Sequence, residues 1–327
     1  MTPHASSTKI SRNAMAHLLM IAVVVLWGAT FVLVKAALAD IAPQWFNSIR
    51  MTIAFLCLAL LYRSQWRQLT RQAWLAGAAA GACLAAGYFF QTQGLLYTSP
   101  TNSAFLTALV VVMVPFLASL PGLRPPGAGL PQWTAWVGAA LAFLGVVLLT
   151  APAGASWKYV LDHLNRGDLL TLGCALGFAL HVITLAHATQ KVRFEQIALL
   201  QIGFAMLFLT TAALTVQPSA LHIFADLSAP KHSGITFLLV FALAVTGIVA
   251  TAAAFSIQTW AQQTIPATNI AVILTLEPVF AWLTSYVILH ERLGLRHGFG
   301  AFLVLGGILA TELLPRLQNL AWGCDFL

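Results

Sequence analysis

The chain has 327 residues, of which 60% are hydrophobic and only 8% charged, with a net charge of +7 and a mean hydropathy of +0.86. Soluble domains carry about 25% charged residues, so a soluble fold is excluded and the length is counted in membrane spans. The basic residues are scattered between apolar runs, which reads as a topology signal and not as a nucleic-acid surface.

A polar start, Met1 to Asn13, leads into an apolar run from Ala16. Ala37-Leu38-Ala39 looks like a signal-peptidase site. The run exceeds the roughly 7–15 residues of a signal sequence, however, so it predicts a first membrane helix. Runs of about 20 residues, enough to cross about 30 Å of hydrocarbon, predict five spans in the first half: 16–37, 44–62, 73–96, 102–120 and 133–150. Five more follow at 167–188, 195–216, 234–257, 268–289 and 297–314. Breakers in the linkers include Pro100, Pro121, Pro125, Pro126, Pro152, Pro218, Pro230 and Pro266. Gly77, Gly81 and Gly87 give the third span a small face for close helix contact. Cys57, Cys83, Cys174 and Cys324 lack paired spacing and read as small hydrophobes, not as a disulfide or metal site.

With the N-terminus inside, the inner segments hold Lys9, Arg12, Arg63, Arg67, Arg71, Arg124, Lys191, Arg193 and Arg316. The outer segments hold only Lys158, Arg166, Lys231, Arg292 and Arg296, so both termini are predicted to face the cytoplasm.

The two halves resemble each other. Gln91-Thr92, Thr101-Asn102 and Ala104 recur 167 residues later as Gln258-Thr259, Thr268-Asn269 and Ala271. Gly138 and Gly145 match Gly300 and Gly307, Trp27 matches Phe178, and Arg50 matches Gln201. Five spans per half is odd, so the repeats cross in opposite senses. Such inverted repeats place a substrate site near the midplane between them. The expected fold is an all-α membrane protein of ten transmembrane helices in two inverted five-helix repeats.

Glu277 stands in the middle of an apolar span, where a carboxylate costs several kcal/mol unless paired, hydrated or protonated. Pro278 is expected to break the helix beside it. A proton carrier, a cation site and a structural partner for Arg50 are all open for this acid. The Arg50 guanidinium stays charged in any site and must face a cavity, a carboxylate or helix carbonyls. It either anchors a substrate carboxylate or holds helices together. Lys35 is predicted to snorkel to the outer interface, with a gate role as the sharper reading. Glu291, beyond the ninth span, is the other gate candidate. His181 aligns with Thr30 near mid-span and either titrates or makes an interhelical hydrogen bond. Asn102 and Asn269 are expected to cap helices, whereas Gln91 and Gln258 lie further in and are cavity candidates. Trp27, Tyr88, Phe89, Trp260 and Trp282 are candidate pocket walls, or packing and interface residues.

Read together, Leu26-Trp27-Gly28, Arg50, Tyr97-Thr98-Ser99 before Asn102, Gly167-Asp168, Leu276-Glu277-Pro278 and His290-Glu291-Arg292-Leu293 resemble the EamA-type family of the drug/metabolite transporter superfamily. The similarity runs from about residue 16 to 314. It implies an inner-membrane carrier that exports amino acids, other metabolites or drug-like solutes, driven by a proton gradient or by substrate exchange. The layout becomes a cytoplasmic tail at 1–15, a repeat at 16–150, a periplasmic linker at 151–166, a repeat at 167–314 and a cytoplasmic tail at 315–327. The first half departs from the pattern, since Val114-Pro115 has no acid where the second has Glu277-Pro278. Leu120-Pro121-Gly122-Leu123 likewise lacks a counterpart of Glu291.

An intramembrane enzyme is the competing class. His290-Glu291 has no second histidine at metalloprotease spacing, and neither a Gly-x-Ser-x-Gly elbow nor a phosphate loop occurs. A channel or receptor is weakened by the inverted repeat, which points to alternating access. The expected partners are a small-molecule substrate and the lipid bilayer. Nucleic acid, metal and cofactor are not expected, and a homodimer is allowed without being indicated.

Overall fold

The computed structural model describes residues 11–125, 129–150, 165–217, 236–289 and 295–322, and the regular elements among them are all helical. The first half holds α1 (Arg12–Ala37), α2 (Pro43–Leu61), a short 3₁₀ turn, α3 (Arg71–Gly94), α4 (Pro100–Thr107), α5 (Val110–Ser119) and α6 (Trp133–Thr150). The second holds α7 (Arg166–Ala188), α8 (Phe194–Val216), α9 (Phe237–Ala261), α10 (Ala267–Leu274), α11 (Glu277–Leu289) and α12 (Leu295–Trp322). Among the described residues eight helical segments are long and apolar enough to cross a membrane, with α10 and α11 forming one of them. Val110–Ser119 and Trp133–Gly145 are shorter apolar pieces.

Several boundaries differ from expectation, among them the end of α9 at Ala261. Helix α1 already begins at Arg12, capped by the Ser11 hydroxyl, which accepts from the Ala14 amide. Helix α12 runs on through Pro315 to Trp322, into the segment expected as a tail. The linker at 151–164 and Glu291 lie outside the described residues.

The helix ends fit the repeat closely. Ala37 and Ala188 end α1 and α7, Pro43 and Phe194 open α2 and α8, and Pro100 and Ala267 open α4 and α10. The fourth and ninth expected spans are each broken in two, at Ala108–Leu109 and at Thr275–Leu276. In the second half proline explains the break. Pro278 has no N–H for the Leu274 carbonyl four residues back, and its ring crowds that carbonyl, so α10 stops at Leu274. Pro115 lies well inside α5, so the matching break in the first half is not made by proline.

Packing obeys the same exchange of halves. Helix α3 packs on α7 and α8, and α9 packs on α1 and α2. Helix α5 meets α7 as α11 meets α1, while α2–α8 and α6–α12 join repeat mates directly. At α6–α12 the contact is backbone to backbone: a β-carbon on Gly307 would sit 2.6 Å from the Gly138 carbonyl oxygen, and one on Gly145 would sit 2.5 Å from that of Gly300. In lipid, where burying apolar groups gains little, such close approach is what associates helices. The two contacts run in opposite order along the chain, so α6 and α12 are antiparallel. Ser48 with Thr210 (2.7 Å) and Phe55 with Gly203 give the same result for α2 and α8. Mates that cross in opposite directions are inverted repeats, as the sequence predicts.

One element breaks the symmetry. The middle of α9, Val245–Ala253, is wound as a π-helix, whereas its mate, residues 78–86 of α3, is regular α-helix. The α3 stretch holds six alanines among its nine residues, against three in the α9 stretch. The α9 stretch carries Val245, Thr246, Ile248, Val249, Thr251 and Gly247, all weaker helix formers.

Candidate functional site

Between the halves lies a cavity with about 740 Å³ of space not filled by protein atoms, part of it open to solvent. It is lined by repeat mates: Trp27 with Phe178, Thr30 with His181, Tyr88 with Phe255, Gln91 with Gln258, and Val110 with Glu277. The aromatic members form one linked wall. Tyr88 meets Phe178 edge-on at 5.3 Å and Phe255 at 6.0 Å, and Trp27 lies 5.1 Å from Phe255. Trp27 is fixed by its indole N–H, which donates to the Ala250 carbonyl at 2.7 Å in the π-helical stretch of α9. A π turn shifts backbone bonding by one residue, and such stretches recur at functional sites.

Two charged side chains reach this cavity. Arg50, on α2, is 4% exposed, and its guanidinium carbon lies 3.7 Å above the Tyr88 ring. Its Nε and Nη2 are buried with no hydrogen-bond partner, which is costly for charged donors. The cation–π contact with Tyr88 supplies part of the compensation. Glu277 is the first residue of α11, so its carboxylate sits at a helix N-terminus, where the macrodipole favours negative charge. Gly28 of α1 brings that turn close: a β-carbon there would lie 2.6 Å from the Glu277 carbonyl oxygen.

Arg50 and Glu277 line the same cavity yet form no ion pair, and the Glu277 carboxylate has no hydrogen-bond partner among the described residues. The structural pairing left open by the sequence is therefore absent. The N-terminus of α5, at Val110, reaches the cavity from the other half. Val110, not Val114, is thus the position matching Glu277, because the breaks at Ala108–Leu109 and Thr275–Leu276 set the register.

The remaining candidates divide. His181 lines the cavity but is tied down: its Nε2–H donates to Gln201 Oε1 at 2.8 Å, Gln201 Nε2 donates to Thr259 Oγ1 at 2.9 Å, and that hydroxyl donates to the Phe255 carbonyl at 2.6 Å. Gln201 acts behind the wall, through His181. Gln258 is bonded through Nε2 to Gln262 at 3.3 Å and leaves its Oε1 unsatisfied. Lys35 does not reach Asp40, whose carboxylate accepts from Thr236. Instead its Nζ donates to the carbonyls of Leu95 and Thr98, closing the C-terminal end of α3.

Asn102 and Asn269 are not caps. Asn102 is the third residue of α4 and exposed, and its own amide N–H is received by the Ser99 hydroxyl at 3.1 Å. Asn269 is the third residue of α10 and accepts from Thr268 at 3.3 Å. Trp260 lies under Arg12 and Trp282 is packed in the core. Phe89 packs against Phe90, away from the lining.

Sequence reasoning passed over Phe255 and the Ala250 carbonyl. The 167-residue offset that pairs Gln91 with Gln258 also pairs Tyr88 with Phe255, so Phe255 was within reach. The Ala250 carbonyl depends on a local π turn that no residue pattern announces. Also missed was the clasp from Thr98 Oγ1 to Asp168 Oδ1 at 2.7 Å, where Asp168 also closes a capping box with Asn165 at the start of α7. Among the described residues no three His, Cys, Asp or Glu side chains converge as a metal site.

Inverted helical repeats enclosing a polar-tipped cavity define a multi-pass membrane protein of the carrier class. The family model described as the EamA-like transporter family matches residues 14–151 and 165–312. A relative from Archaeoglobus fulgidus, named an uncharacterized transporter, is 31% identical over 89% of this chain and 83% of its own. The uncharacterized transporter YvbV of Bacillus subtilis is 26% identical over 93% of each. A solved crystal structure superposes with a TM-score of 0.69 at 19% identity, covering 94% of this chain and 99% of that one, a likeness of fold. The chain belongs to the EamA-like transporter family of the drug/metabolite transporter superfamily, and it is a membrane transporter.

Proposed function

We propose that the chain is a ten-span secondary carrier, with both termini cytoplasmic, that exports small amphiphilic solutes by alternating access in exchange for protons. The observation that carries this reading is the pair of ionisable groups without an ion-pair partner, Arg50 and Glu277, in one aromatic-walled cavity between inverted repeats. A guanidinium with open donors fits a solute carboxylate, and the aromatic wall fits an apolar body. An unpaired carboxylate fits the cationic group of the same molecule. The solute class that satisfies all three is the zwitterionic amino acid with an apolar side chain.

Glu277 also supplies the coupling. A bare carboxylate in a closed cavity at membrane depth costs several kcal/mol. The carrier therefore switches sides with either the solute's cationic group or a proton on Glu277. Solute bound from one side is exchanged for a proton bound from the other. The broken helices α4/α5 and α10/α11, whose inner ends carry Val110 and Glu277, provide the parts that reorient around the site. The test is uptake of labelled phenylalanine into proteoliposomes without ATP. Saturable uptake that follows an imposed proton gradient supports the reading, and flux that fails to saturate supports a channel instead.

A further inference from the structure

A second cleft, with about 670 Å³ of open space, lies between α3 and α7 at the ends proposed to face the cytoplasm. Its floor is apolar, formed by Leu75, Ala76, Ala188 and Val192, and its rim carries Gln72, His187 and Lys191. Lys191 is exposed, and neither its ammonium nor the Gln72 amide is used by the described residues. His187 is fixed by Nδ1, which bonds to the Ile183 carbonyl at 2.9 Å, leaving Nε2 as its remaining ring nitrogen. Arg71 stands next to Gln72, and the acid Glu195, four residues after Lys191, bonds Arg193 through Oε1 at 3.3 Å and leaves Oε2 without a partner. Leu75 in the cleft lining is 62% exposed, so the cleft opens on the apolar, lipid-facing surface.

The repeat shows that the fold does not require these groups. The positions matching Lys191, His187 and Gln72 at the opposite end of the molecule are Asp40, Ala36 and Leu239. There Asp40 is bonded to Thr236 Oγ1 at 2.6 Å, and Leu239 is buried. At the cytoplasmic end the cleft therefore pairs an apolar groove with a free cation, whereas the matching described positions carry an acid, a small apolar residue and a buried leucine. Basic clefts between membrane helices on the cytoplasmic side suit anionic lipid headgroups.

We propose that the α3–α7 cleft binds an anionic phospholipid, with Lys191 and Gln72 on the headgroup phosphate and an acyl chain along Leu75 and Ala76. Assignment to the cytoplasmic leaflet rests on the orientation proposed above. Headgroup selectivity in detergent does not depend on it, so failure of the cleft and failure of the topology are distinguishable.

Native mass spectrometry of the purified full chain, titrated with phosphatidylglycerol and with phosphatidylcholine of the same acyl chains, tests this. Phosphatidylglycerol is expected to bind preferentially, and Lys191→Gln to weaken it about fivefold and remove the preference. Arg124→Gln, outside the cleft, is expected to leave the preference intact. Equal binding of the two lipids, or an undiminished preference in Lys191→Gln, overturns the proposal. Displacement of the lipid by equimolar glycerol phosphate also overturns it, since the cleft would then serve a soluble phosphate ester.

Discussion

The two halves of the cavity share their shape and differ in their charge. Tyr88 is matched by Phe255, Gln91 by Gln258 and Trp27 by Phe178, so each half supplies aromatic lining and an amide. The first half adds Arg50 with open donors, whereas Gln201 at the matching position is closed into a bonded chain with His181 and Thr259. The second half adds Glu277, where the first has Val110. Duplicated helices give the two-sided geometry that alternating access needs. A solute with two different ends needs the opposite, a cation on one side and an acid on the other.

Removing the acid breaks this comparison most severely. Glu277→Gln is expected to abolish proton-linked exchange and flatten its pH dependence in proteoliposomes, because the side chain no longer takes up or releases a proton. Unchanged flux and pH profile would remove Glu277 from the coupling. Next comes Arg50→Gln, which gives the first half the residue of the second. Affinity for an amino acid is expected to fall about ten- to a hundredfold, the worth of a charged hydrogen bond, as read by isothermal titration. The variant's melting temperature is expected to hold or rise, since a buried charge with open donors is gone.

Packing substitutions sharpen the comparison with smaller effects. Gly28→Val pushes α1 off the first turn of α11 and is expected to cost about 1–3 kcal/mol of stability, measured as a lower melting temperature. Solute affinity is expected to fall with it, since Glu277 moves. Trp27→Phe keeps the aromatic wall but loses the bond to the Ala250 carbonyl, for an expected loss of about 0.5–1.5 kcal/mol. Its repeat mate is already Phe178, so this change makes the halves more alike at small cost.

Much of this was legible in the sequence because membrane helices announce themselves by length and apolarity, and a duplicated chain repeats its polar residues at fixed offsets. Arg50, Glu277, Trp27, Gln91, His181 and Gln258 all line the cavity. What the sequence misplaced depends on local geometry. Asn102 and Asn269 were expected at helix starts, but Ser99 and Pro266 hold those places, because helix ends shift by a few residues without changing hydropathy. Whether Arg50 and Glu277 pair depends on helix rotation, which residue spacing does not reveal. Pro115 imitates Pro278, so the sequence aligns Val114 with Glu277. The helix break, which sets the true register, has no proline beside it in the first half.

The central claim is that the cavity reads both ends of one solute, and thermal stabilisation of the purified protein by three related probes tests it most directly. Phenylalanine carries both charges, phenylpropionate only the carboxylate and phenylethylamine only the ammonium. Phenylalanine is expected to stabilise the wild type most. Arg50→Gln should erase its advantage over phenylethylamine, and Glu277→Gln its advantage over phenylpropionate. Equal stabilisation by all three, or variants that rank them as the wild type does, would contradict the account.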